Sequence, residues 1–159
     1  MRSILKVLFL LLTIIIYPSL LFADNSDKSP RGETRIMYGS SFGECGGYCQ
    51  QELVLTPEKA LLKQSSYEPE RFPARFSEKV LSAQEWTEVL ALIDPKTLLQ
   101  LQDVYDCPDC HDQGAEWVEI ILSDFHKRIF FSYGDNILGI SELLNKLRTI
   151  TTELSPVKK

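Results

Sequence analysis

The chain is short of cations and nearly empty of imidazole. It carries 17 Lys+Arg against 22 Asp+Glu, and only two histidines in 159 residues. Nucleic acid and anionic lipid both require a cationic face, so a net-negative domain is a poor match for either. A general base of the imidazole type is limited to His111 and His126. His111 adjoins Cys110, and side chains of sequence neighbours point apart. The chain also lacks a G-x-S-x-G elbow, an H-E-x-x-H pair and a phosphate-cradling glycine loop. Serine hydrolysis, zinc peptidase chemistry and nucleotide binding therefore have no support in its motifs. No internal repeat or second compositional regime divides it.

What is present begins with an export signal. Arg2 and Lys6 form a short positive region, and Val7 to Phe22 is apolar apart from Thr13, Tyr17, Pro18 and Ser19. Pro18 breaks the run near its end, and small Ala23 is followed at once by Asp24 and Asn25. This order of charge, apolar run, helix break and small residue is what signal peptidase reads. Leu21, three residues before the cut, is larger than the enzyme prefers. The apolar run sits at the short limit of the roughly 17–25 residues that cross a bilayer, which favours cleavage after Ala23 over a retained anchor. No cysteine lies near the cut to accept a lipid.

Removing residues 1–23 takes away Arg2 and Lys6 and no acid, so the basic count falls from 17 to 15 against 22 acidic residues, a net charge of −7. The remaining 136 residues match the size of one domain and can bury a core without help from metals. A secreted or periplasmic protein with no stable membrane anchor is expected, acting on an unknown protein or small-molecule ligand and not on nucleic acid.

Along the mature chain, residues 24–34 are polar, with Pro30 and Gly32, and read as a flexible leader. Arg35–Tyr38 suits a short first strand, followed by a Gly- and Ser-rich loop to Gly47. Gln50–Leu55 and Ala60–Ser66 flank Thr56-Pro57-Glu58-Lys59, where proline presets a turn dihedral, so a hairpin is expected. Tyr67 to Ser77 contains Pro69 and Pro73 and reads as an irregular crossing. Ser82 and Glu85 form a capping box before Trp86, Val89, Leu90 and Ile93 at helical spacing. Asp94 and Pro95 suit the start of a short helix holding Leu98, Leu99 and Leu101.

Val118, Ile120 and Leu122 then alternate, as do Ile129, Phe131 and Tyr133, with Ser123-Asp124-Phe125 as the turn of a second hairpin. Ile121 and Phe130 put apolar groups on its other face as well, which predicts a central place in the sheet. Ile140, Leu143, Leu144, Leu147 and Ile150 mark a closing amphipathic helix. Hairpins imply antiparallel pairing, and helices with one apolar stripe imply a sheet covered on one face. The expected fold is α+β: one domain over residues 35–152, mainly an antiparallel sheet of about five strands with two to three helices on one face, and a tail at 153–159.

Four cysteines form two close pairs, Cys45-x3-Cys49 and Cys107-x2-Cys110. In an exported chain with an even count, structural disulfides are the leading reading. Three connectivities are possible. Two local bridges would contribute about 2 kcal/mol each, and crossed bridges closing about sixty residues about 4 kcal/mol, provided that the α-carbons come within about 7 Å. Other chemistries compete. Cys107-Pro108-Asp109-Cys110-His111 satisfies C-x-x-C-H, which holds haem c through two thioethers and an iron-ligating histidine. Only Met37 or His126 would serve as the distal ligand, and the β-rich flanks differ from the helical setting of small cytochromes. Zinc held by the cysteines, with or without His111, needs thiols that exported proteins seldom keep reduced. A thioredoxin-like dithiol shares C-P-x-C but needs a helix N-terminus to lower the thiol pKa, and here His-Asp-Gln-Gly and a strand follow.

The acidic loop region 103–119 offers a further candidate. Asp103, Asp106, Asp109 and Asp112 recur every third residue, and Ca²⁺ takes six to eight oxygen ligands, but the spacing is not that of an EF-hand and a solvated loop is the commoner outcome. Glu116, Glu119 and Asp124 are the carboxylates that would have to gather for acid–base work. Tyr67, Arg71, Phe72, Arg75 and Phe76 mix cations with aromatics and make a candidate interaction surface.

The segment Phe42-Gly43-Glu44-Cys45-Gly46-Gly47-Tyr48-Cys49 precedes a hairpin, a Leu-Ser-x-x-Glu-Trp helix start, a late hairpin and a Leu-rich closing helix. This arrangement, from about Arg35 to Ile150, resembles exported bacterial domains of uncharacterised activity that carry an F-G-x-C-x-x-x-C loop. Members commonly have the first cysteine pair without the second, so the resemblance implies a Cys45–Cys49 bridge and favours local pairing, 45–49 and 107–110. Cys107, Cys110 and His111 depart from the pattern and inherit nothing from it. The resemblance supplies no activity. A binding domain without catalysis or cofactor is the expected function, ahead of a haem or thiol redox protein and of an enzyme or metal binder using the acidic loop.

Overall fold

Alternation and capping build the fold from the middle of the chain outward. The computed structural model describes residues 34–43, 45–110 and 113–156. The expected signal segment, nearly all of the expected leader, Glu44, His111, Asp112 and the last three residues lie outside the described residues. Six strands are present: β1 (Arg35–Ser41), β2 (Gln50–Leu55), β3 (Lys59–Ser65), β4 (Arg75–Val80), β5 (Ala115–Leu122) and β6 (Phe125–Ser132). Three helices accompany them: α1 (Ala83–Ala91), α2 (Pro95–Gln100) and α3 (Ser141–Leu154). The strands form one sheet in the order β4-β3-β2-β1-β5-β6, with every pair antiparallel. The class is α+β.

Period-two burial sorts the sheet into two faces. Ile36, Tyr38, Leu53, Leu55, Leu62, Val118, Ile120, Ile129 and Phe131 are buried on one of them. The buried residues of the helices, among them Trp86, Val89, Leu98, Leu143, Leu144 and Leu147, belong to the same hydrophobic cluster. We call this the core face. The capping box forms as the sequence predicts: Ser82 Oγ accepts from the Glu85 amide, and Glu85 accepts from the Ser82 amide at 2.8 Å. Asp94 caps α2 through the amides of Lys96 and Thr97.

Three expectations are corrected. The sheet has six strands, because the supposed crossing ends in β4 at Arg75. An edge strand carries little inward apolar pattern: Arg75, Ser77 and Lys79 pair with core-face residues of β3, and its apolar Phe76 and Val80 lie on the opposite face, 62% and 85% exposed. The second hairpin is not central, since β6 is the other edge. Residues 103–105 run along β6, with Tyr105 N–H donating to Phe130 O and Phe130 N–H to Asp103 O, both at 2.9 Å. The central place belongs to β1, which runs to Ser41 and pairs on both sides. In addition, Phe125 belongs to β6, which leaves Ser123 and Asp124 as the turn.

Both cysteine pairs are bonded locally, Cys45 to Cys49 with α-carbons 5.7 Å apart and Cys107 to Cys110 at 5.4 Å. The registers Ser41↔Gln50, Gln64↔Arg75 and Ala115↔Ser132 place both loops, together with residues 66–74 and 133–140, at one end of the sheet. Each bridge closes only a few residues, so its effect on the unfolded chain is small. Cys107→Ser is expected to lower stability by about 2 kcal/mol in a denaturant melt. A loss twice that size would mean that the bridge supports more than its own loop.

Candidate functional site

At the loop end of the core face the apolar alternation stops. The registers set Arg75, Gln64, Gln51, Ser40 and Glu116 side by side across β4, β3, β2, β1 and β5. Ser40, Gln64 and Glu116 are buried. Buried polar groups require partners, and a buried charge requires a countercharge. Arg75 Nε donates to Gln64 Oε1 at 2.8 Å. Arg148 of α3 answers Glu116, donating to Oε2 from Nε at 3.1 Å and from Nη2 at 2.6 Å, and Nη2 also donates to Asp135 O at 2.6 Å. The Gly134 amide donates more weakly to Glu116 Oε1 at 3.4 Å. Glu116 is almost wholly enclosed, whereas a quarter of the Arg148 side chain meets solvent.

A cleft of about 440 Å³ opens beside this pair. The sheet contributes Tyr38, Ser40 and Gln51, the loop after β6 contributes Tyr133, and α3 contributes Thr152 and Ser155. Arg148, Thr151, Thr152 and Ser155 recur at spacings of three and four, so a polar stripe of α3 runs alongside its apolar stripe. The threonine and serine hydroxyls donate back to helix carbonyls, Thr152 to Arg148 O at 2.9 Å and Ser155 to Thr151 O at 2.8 Å. Their oxygens are left to the cleft as acceptors.

Burial, and then the charge of Glu116, push the Tyr38 phenol well above its ordinary value near 10, and Arg148 only partly offsets them. Tyr38 is thus a neutral donor at any physiological pH. Burial works against the Arg148 charge, but the hydrogen bond and charge of Glu116, with help from Tyr38, hold its guanidinium above the usual arginine value. A stability consequence follows for Tyr38. The unfolded phenol ionises near pH 10, whereas the folded one keeps its proton to higher pH. Its contribution is therefore complete below about pH 10 and falls as pH rises beyond that. Tyr38→Phe is expected to flatten this alkaline limb in melts taken from pH 8 to 11. A limb of unchanged slope would place its origin elsewhere.

Residues that flank the two disulfide loops meet at Tyr133, which lines the cleft. Phe42 N–H donates to Cys49 O at 3.1 Å, and Tyr133 N–H donates to Gly114 O at 3.1 Å. The rings of Phe42 and Tyr133 pack with centroids 4.6 Å apart. Gly114 has φ +84°, and a Cβ there would collide with the Phe42 ring, so glycine is required by both conformation and space.

The residues singled out from sequence fall in several places. Cys107 and Cys110 are exposed, and bonded to each other they have no thiol to offer haem or zinc in this state. Asp109 Oδ1 accepts from the Gly114 amide at 3.1 Å, which closes the loop, and Asp106 and Asp109 both adopt positive φ. Asp103 pairs with Lys127 at 2.5 Å. Among the described residues, no three of His, Cys, Asp and Glu gather as a metal site; His111 and Asp112 lie outside them. Glu116, Glu119 and Asp124 do not come together. Glu116 is on the core face, Glu119 is on the opposite face against His126 at 2.7 Å, and Asp124 is in the turn at the far end.

The proposed interaction surface is divided in the same way. Arg75 stacks on Tyr48 at 3.8 Å, Arg71 on Phe72 at 5.1 Å, and Tyr48 meets Phe72 edge-on. These contacts tie residues 66–74 to the first cysteine loop. Phe76 points to the other face, and Tyr67 is half exposed. Sequence reading missed Tyr38, Ser40, Gln51 and Arg148, which carry no local signal that sets them apart from ordinary strand and helix-flank residues.

Among the described residues no helix is long and apolar enough to cross a membrane. No family model matches this chain, and no curated protein matches it.

Proposed function

We propose that this is an exported, disulfide-stapled binding domain that takes a small ligand at the loop end of its sheet and does not transform it. The observation that carries the reading is the buried Glu116–Arg148 pair standing open to a 440 Å³ cleft. A buried pair serving only to fix α3 would be covered by apolar side chains. Here alcohols, an amide and two phenols surround it, and convergent polar groups in a concavity are what orient a ligand. No imidazole or free thiol lines the cleft among the described residues, so an activated nucleophile of the Ser–His or Cys–His kind has no support there. Export supports the reading through the two bridges, which an oxidising compartment maintains.

A thermal-shift screen of small polar compounds tests it. Compounds that raise the Tm of the mature protein are expected to lose that effect when Thr152→Leu fills the mouth. A stabiliser that survives the substitution would place the site elsewhere, and one recovered chemically altered would make the protein an enzyme.

A further inference from the structure

The donors and acceptors of the cleft restrict the ligand further, given the reading above that the cleft is a binding site. Its two formal charges cancel, with Arg148 Nη2 at 2.6 Å from Glu116 Oε2. A carboxylate or ammonium ligand would have to compete with a partner already in place, and separating a buried pair leaves one charge unpaired at high cost. A neutral ligand avoids that conflict and uses what the pair leaves over. Arg148 commits Nε and Nη2, so Nη1 is the guanidinium nitrogen outside those bonds. Thr152 and Ser155 line the same cleft and offer acceptor oxygens, since their protons are bound to α3 carbonyls. Gln51 offers an amide that both donates and accepts, and Ser40 an alcohol that does the same.

Donors and acceptors thus share a space whose lining carries no net charge. Hydroxyl groups suit such a lining because each can donate and accept at once. One wall is different in character. Tyr133 is half exposed and lines the cleft, and its ring packs against that of Phe42. An aromatic face presented beside a polar rim matches a molecule with one apolar face and a hydroxylated edge. A pyranose ring has that construction, its axial C–H groups on one side and hydroxyls around the rim. We infer that the cleft binds a neutral saccharide ring, stacked on Tyr133 and hydrogen-bonded by Gln51, Ser40, Arg148, Thr152 and Ser155.

The test is an amide and side-chain NMR titration of the oxidised mature protein. The probes are glucose, galactose and N-acetylglucosamine, their methyl glycosides, and acetate and ethylammonium at equal concentration. At least one sugar is expected to shift the Gln51 side-chain amide and Gly134 at millimolar concentration. Gln51→Leu should weaken it tenfold or more, and Tyr133→Ala should do the same through loss of stacking. A methyl glycoside that binds as well as its parent sugar identifies a glycan terminus as the source, and one that fails identifies the free sugar. Shifts from acetate or ethylammonium without shifts from any sugar would overturn the saccharide inference and leave the binding site standing. No cleft shift from any probe would overturn both.

Discussion

Arg148→Met is expected to lower stability by about 3 kcal/mol, the largest loss of any single substitution at the cleft. Removing one member of a buried pair costs about 3–5 kcal/mol because the other charge remains without a partner. Glu116 is nearly sealed from water, and the quarter of Arg148 that is exposed puts the effect at the lower end. The substitution also releases the Asp135 carbonyl, through which Arg148 ties the loop after β6 to the helix. Adding Glu116→Gln in the same chain removes the stranded charge, and most of the loss should return. Denaturant melts of the two single variants and the double variant close the cycle. A loss below 1 kcal/mol for Arg148→Met would mean that water reaches Glu116 freely, and the cleft would then be surface and not site.

The second large effect lies on the opposite face of the sheet. Gly39 stands directly across from Trp117 in the β1–β5 register, and a Cβ on it would collide with the indole ring. Arg128 stacks on the other side of that ring at 4.7 Å. Alanine normally improves a strand by replacing glycine, since it narrows the unfolded ensemble. Here the collision wins, because the indole is held between backbone and guanidinium and cannot move aside without losing one of them. Gly39→Ala is expected to cost about 1–3 kcal/mol, within the range for overpacking. In a Trp117→Ala background the same change should be neutral or slightly stabilising. A loss that persists without the indole would refute the steric explanation.

How much of this was legible in the sequence depends on the range of the interactions concerned. The capping box at Ser82 and Glu85, the Asp94 cap and the Thr56–Pro57 turn are local chemistry, readable within four residues. Strand β4 was hidden because an edge strand has little apolar pattern to show, and its two apolar residues face outward. The central place expected for the second hairpin failed for a related reason. Strand β6 ends the sheet and is met beyond it only by the short bridge at residues 103–105, which no window around Phe130 reveals.

The cleft was hardest to foresee. Ser40, Gln51, Gln64 and Glu116 each look like an ordinary polar strand residue. Only the register, which joins positions up to 76 residues apart, puts Glu116 beside Ser40 and Gln51 beside both Ser40 and Gln64. Arg148 looked like the solvated flank of an amphipathic helix. The acidic residues around Cys107 drew attention through their spacing, yet the structure uses Asp109 to close a loop and Asp103 to hold Lys127.

The account depends most on the compartment, because both bridges need an oxidising one. Intact-mass analysis with thiol counting, on protein recovered from its own cells without reductant, tests that directly. The predicted result is a chain that begins at Asp24 and has no titratable thiol. A chain that retains Met1, with four reactive thiols in the cytosol, would contradict it.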